Sequence, residues 1–187
     1  MKSKTHKYNS LITKGICKTK IKNILTAGLL ILSTMFYGTN GNGKGDSPAC
    51  LTVTGKVLTK KTNTNEKVMV YLINGNKKID SVQVRMNSNF AFRLKKNNEY
   101  SIKVVQPGYA DRLIYISTWL PTKINENTLF EFHFDLVPFK PDGSTSEDAL
   151  DFPVALIYYH TDKGCFDYNK KYTTYIKKEL NQSVFGE

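Results

Sequence analysis

Three groupings of residues carry types and spacings suited to chemistry. His160 and Asp162 flank a turn just ahead of Cys165. A thiol beside an imidazole is the pairing of a nucleophilic centre, because the base takes the proton that keeps sulfur inert. This would make a small Cys/His hydrolase, but the stretch offers no third group to orient the imidazole and no oxyanion donor. A turn-capping aspartate and a half-buried cysteine account for the same residues more simply. Glu131, His133 and Asp135 alternate along an apolar stretch, so on a strand their side chains project to one side. Such a stripe binds a cation only weakly unless ligands converge from another strand. The sequence has no CxxC and no spaced Cys/His quartet, so no metal is expected, and no motif requires a cofactor.

The third grouping is aromatic. Tyr109, Tyr115 and Trp119 precede five tyrosines between residues 158 and 175. Rings with a polar edge are favoured in binding surfaces, and they also pack well in strands and helices. Trp119 stands at a strand exit just before Pro121 and is the aromatic expected to be partly exposed. Loops at the end of a β-domain often carry recognition, so Tyr109 and Trp119 form the candidate ligand-binding pair.

These residues must be held by strands. In Asn89–Tyr109, Phe90, Phe92 and Leu94 alternate with Ala91, Arg93 and Lys95. A polar KNNE turn follows, and Tyr100, Ile102 and Val104 resume the alternation until Pro107-Gly108 stops it. Before this hairpin come Leu51–Val57, VMVYLI at 68–73 and IDSVQVRM at 79–86, with an Asn-Gly turn between the last two. After it come RLIYIST at 112–118 and LFEFHFDLV at 129–137, the latter placing Phe130, Phe132, Phe134 and Leu136 inward. Seven short strands with no helical period between them predict an all-β fold. The expected form is a seven-stranded antiparallel sandwich, Ig-like or transthyretin-like, over residues 51–137.

The run Val53-x-Gly55-x-Val57, the VMVYL strand, Phe90-x-Phe92-x-Leu94, Tyr100-x-Ile102-x-Val104 and Pro107-Gly108-Tyr109 resembles the carboxypeptidase regulatory-like (transthyretin-like) sandwich domain. Asn87-Ser88-Asn89 stands where that family has an Asp-x-x-Gly turn, and asparagine tolerates the positive φ required there. The resemblance implies a non-catalytic accessory or binding module of the kind found in secreted and outer-surface proteins of Bacteroidetes-type bacteria.

Charge divides the chain. Residues 1–46 carry eight lysines and one aspartate, whereas residues 47–187 carry nineteen basic and fifteen acidic groups. The alkaline balance therefore belongs mainly to the leader, and the scattered lysines of the body do not form the clustered stripe of a nucleic-acid binder. Residues 1–38 read as a signal peptide or N-terminal membrane segment, with a basic part followed by the apolar run Ile24–Tyr37. As a helix that run spans about 21 Å, short of the roughly 30 Å of a bilayer core. A Gly/Asn-rich linker follows at 39–50, and a second linker at 138–152. The tail, 153–187, predicts a short strand, a turn and a helix from about Asn169, with Tyr168, Tyr172, Tyr175, Ile176 and Leu180 on one face. It resembles the closing segments of small secreted Bacteroidetes proteins of unassigned role. It is expected to pack on the sandwich or add to its edge. Cys50 and Cys165 could pair in an oxidising compartment. Together these features predict an exported protein of the periplasm, outer surface or medium. It would bind or scaffold a protein or glycan of the cell envelope, touching the membrane only through its N-terminal segment. A carbohydrate-binding surface is the alternative.

Overall fold

The computed structural model describes residues 18–20, 48–59, 65–125, 127–140 and 150–182. The apolar run 24–37 and most of both linkers lie outside these. Among the described residues are ten strands: β1 (Lys18–Lys20), β2 (Ala49–Val57), β3 (Lys67–Asn74), β4 (Lys77–Arg85), β5 (Asn89–Lys95), β6 (Glu99–Val105), β7 (Arg112–Ser117), β8 (Leu129–Leu136), β9 (Ala155–His160) and β10 (Cys165–Tyr168). Helix α1 (Lys170–Gln182) closes the described chain.

The strands make two sheets, one ordered β1-β8-β2-β5 and the other β10-β9-β7-β6-β3-β4. Period-two patterning explains what lies between them. β5 buries Phe90, Phe92 and Leu94, β6 buries Tyr100, Ile102 and Val104, and β8 buries Phe130, Phe132, Phe134 and Leu136. Rings meet edge to face within one sheet and between the two, with Phe90 and Phe134 centroids 5.9 Å apart on the first sheet and Phe130 and Phe166 5.4 Å apart across the core. Each such side chain taken fully from water contributes about 1.5–3 kcal/mol before entropy is charged. β4 closes one edge with exposed Lys77, Lys78, Asp80 and Arg85, charges that discourage a further strand from pairing there.

The seven strands expected over 51–137 are β2 to β8, but the antiparallel expectation fails. β2 runs parallel to β8, and β7 parallel to β9. The cause is the crossing of the chain between sheets. β7 ends where the 118–128 connection begins, and β8 starts from that same end, as β2 does. β8 itself brings the chain back to the end where β7 begins, where Phe139 bridges Ala110. β9 therefore enters beside β7 in the same direction.

The tail is part of the sandwich. Val154, Ala155, Ile157 and Phe166 belong to the same core cluster as the β5 and β8 rows. Asn169 caps α1, its side-chain oxygen accepting from the Tyr172 amide at 3.0 Å. The helix buries Thr173, Ile176 and Leu180. Tyr175, expected on that face, is instead 58% exposed; three residues after Tyr172, it falls just past the buried stripe.

The cysteine pairing is corrected as well. Cys50 is a free, buried thiol, whereas Cys165 is disulfide-bonded. A register shift between Ala49 and Leu51 explains the first. It puts a bulge at Cys50, so Cys50 and Leu51 are both buried in succession.

Candidate functional site

Trp119 follows β7 and is 59% exposed. Its backbone is held from both sides. Thr118, ahead of it, is fully buried and is clamped by the turn that joins β5 to β6. The Thr118 amide donates to the Asn98 carbonyl at 2.9 Å, and its carbonyl accepts from the Asn97 amide at 3.1 Å. Its hydroxyl lies 2.8 Å from the Lys95 carbonyl and 2.9 Å from the Asn98 carbonyl, and accepts from the Asn98 amide at 3.0 Å. Leu120, on the other side, packs on the core, as does Ile124. An exposed indole therefore stands between two anchored residues.

The clamp exists because the KNNE turn needs a residue with positive φ, and Asn97 supplies it at φ 58°. Asn98 then folds back, its side-chain amide donating to the Lys96 carbonyl at 2.7 Å and its oxygen accepting from Asn74 at 3.2 Å. Tyr100, buried below, accepts a hydrogen bond from the Lys95 amide at 3.2 Å. The turn that grips Thr118, next to Trp119 in the chain, thus carries Asn97 and Asn98 on fixed backbone, with Asn74 bonded to Asn98.

The candidate pair is not brought together. Tyr109 is half-buried in the β6–β7 connection, its amide bonded to the Gln106 carbonyl at 3.1 Å. β7 lies between it and Trp119, a six-residue strand that spans roughly 20 Å. The two aromatics occupy opposite ends of the sandwich. Trp119 and Tyr109 therefore do not form one compact site.

The other groupings resolve as follows. His160 and Cys165 face one another directly across the β9–β10 hairpin. The imidazole stacks on Tyr158 with centroids 4.4 Å apart, its Nδ1 lies 3.8 Å from Asp162 Oδ1, and the sulfur of Cys165 is engaged in its disulfide. His133 Nε2 lies 3.9 Å from Glu131 Oε2 on the outer side of β8. Among the described residues no three His, Cys, Asp or Glu side chains are grouped to hold a metal ion. None of the described helices is long and apolar enough to cross a membrane.

Thr118, Asn97 and Asn98 did not stand out as functional positions. The only sequence signal was the KNN turn, which identified a bend without indicating what it grips. Compared with known proteins, the chain matches no family model and no curated protein.

Proposed function

We propose that the chain is an exported, non-catalytic β-sandwich module that binds or scaffolds a protein of the cell envelope, with Trp119 as its anchor. The observation that carries this reading is an indole 59% exposed between a fully buried threonine and a core-packed leucine. Large rigid aromatics give much contact area at little cost in conformational entropy, and such residues dominate binding energetics. Export follows from the basic leader and apolar run, and the resemblance to carboxypeptidase regulatory-like domains supports an accessory role.

Carbohydrate binding is the second reading, favoured by the amides of Asn74, Asn97 and Asn98 around the same end, since amides and an indole face suit hydroxylated rings. The experiment is an affinity capture from solubilised envelope proteins, run beside binding to a set of soluble polysaccharides, for the exported protein and its Trp119→Ala variant. Protein partners captured by the parent and lost by the variant support the first reading. Polysaccharide binding accompanied by a shift in tryptophan emission supports the second. Equal capture by parent and variant would sink both.

A further inference from the structure

Arg112 opens β7 on the same face as Ile114 and Ile116, which delivers a guanidinium into the end of the sandwich opposite Trp119. The residue is 2% exposed. The ring of Phe139 covers it, the guanidinium carbon lying 4.6 Å from the ring centroid. Its Nε and Nη2 are buried and have no hydrogen-bond partner among the described residues. Val104 sits opposite Arg112 on β6, and Gln106 follows two residues along on the same face, 6% exposed. Gln106 donates from Nε2 to Glu66 at 3.0 Å, but its Oε1 is buried without a partner among the described residues. Diagonal cross-strand positions are about 7–8 Å apart, within reach of long side chains. One cation and one carbonyl oxygen therefore share this end of the sandwich, each incompletely bonded.

Burial pushes the Arg112 guanidinium down to about 10, so it remains charged at neutral pH. An unpaired buried cation is costly, and one aromatic face offsets only part of that cost. The two free nitrogens form one edge of the guanidinium, with N–H bonds running side by side. That edge is shaped for a planar acceptor with two oxygens. One cation balances one negative charge, which suits a carboxylate better than a phosphate dianion. The free Gln106 oxygen requires a donor, so the ligand should bring an N–H or O–H beside its carboxylate. Pro107 and Gly108, next to Gln106 in the chain, are exposed and Phe139 is half-buried, which sets the site just beneath the surface.

We propose that Arg112 and Gln106 form a binding site for a carboxylate flanked by a hydrogen-bond donor, as in a peptide C-terminus or a 2-hydroxy acid. The site is independent of Trp119 and lies at the other end of the fold.

Thermal melting of the exported protein tests this with four probes at matched ionic strength: N-acetylalanine, lactate, propionate and N-acetylalanine amide. Expected is a rise in Tm of about 3–6 °C with either donor-bearing carboxylate at tenfold its Kd. Propionate should give less and the neutral amide nothing. N-acetylalanine ahead of lactate identifies the peptide C-terminus as the source, and the reverse order the hydroxy acid. Arg112→Met should abolish every response while leaving the unliganded protein folded, and Gln106→Leu should erase the advantage over propionate. If Arg112→Met fails to fold, Arg112→Lys keeps the charge without the two-pronged edge and should weaken the response about tenfold. No response in the parent, or equal responses in parent and Arg112 variants, overturns the proposal. So does a loss of Tm on replacing Asp142, Glu147 and Asp148 by their amides combined with silence toward all four probes, because the chain's own carboxylate would then fill the site.

Discussion

The ring of Phe90 lies across Gly55: a Cβ built on Gly55 would meet Phe90 Cζ at 2.3 Å and Phe134 Cζ at 2.7 Å. β2 and β5 are paired at this point, Gly55 opposite Phe90, and β8 places Phe134 on its other flank. Three adjacent strands thus share a space that two rings fill because the middle strand has no side chain there.

Gly55→Ala is therefore expected to destabilise the fold by about 1–3 kcal/mol through overpacking. Urea unfolding measures it as a lower midpoint at unchanged slope. Phe90→Leu alone should also destabilise, by loss of ring packing. Combined with Gly55→Ala it should cost less than the sum, since the smaller side chain frees the space the methyl needs. Strict additivity would mean that the two residues do not compete for that space.

Thr118→Val keeps the volume of a fully buried side chain and removes its hydroxyl. The Asn98 amide then loses its partner, and the Lys95 and Asn98 carbonyls lose a donor. Losing these part-buried hydrogen bonds costs about 0.5–1.5 kcal/mol. The same change loosens the support of Trp119, the only tryptophan in the chain. Time-resolved fluorescence anisotropy should gain a fast component that the parent lacks. Stability lost with no change in anisotropy would show that Thr118 holds the turn without holding the indole.

The rows of Phe90 and Phe130 were legible because one-sided burial imposes alternation on a strand whatever its neighbours are. The reason for a glycine at 55 was not, since it depends on which strands flank β2. Direction was hidden for the same cause: alternation reads identically in parallel and antiparallel pairs, so the β2–β8 and β7–β9 pairings left no trace. Arg112 was legible in part, because period two from Ile114 and Ile116 already puts it inward. Tyr109 and Trp119 bracket a single strand, and chain order alone separates them. The state of Cys50 was not legible, since it turns on a bulge at the β2 entrance.

Burial pushes the Cys50 thiol up to about 11 from an ordinary 9.0. A raised folded value means the folded state keeps its proton longer than the unfolded chain does. The stabilisation this gives the neutral thiol is complete below pH 9 and is lost as pH rises from 9.0 toward about 11. The parent should therefore lose stability over that window more steeply than Cys50→Ala does. At pH 8 a thiol reagent should label Cys50 only after denaturation, without prior reduction. Labelling of the native protein, or none in denaturant, would contradict a buried free thiol.

β1 pairs antiparallel with the start of β8, Lys18 opposite Glu131, Thr19 opposite Phe130 and Lys20 opposite Leu129. In chain order β1 precedes the apolar run Ile24–Tyr37, and the sandwich follows it. If the run directs export, residues ahead of it stay on the cytoplasmic side while the sandwich crosses, so β1 pairing and export exclude each other in one molecule. Cleavage after the run removes β1 outright and leaves Leu129–Glu131 paired only with β2 on their other side. The mature protein recovered outside the cytoplasm is expected to begin between residues 38 and 50, as read by N-terminal sequencing. Its amides in Leu129–Glu131 that bond to β1 should exchange hydrogen faster than those of the full-length chain folded in solution. An exported protein that retains Lys18 and protects those amides would assign the N-terminal segment to the fold and end its reading as a signal.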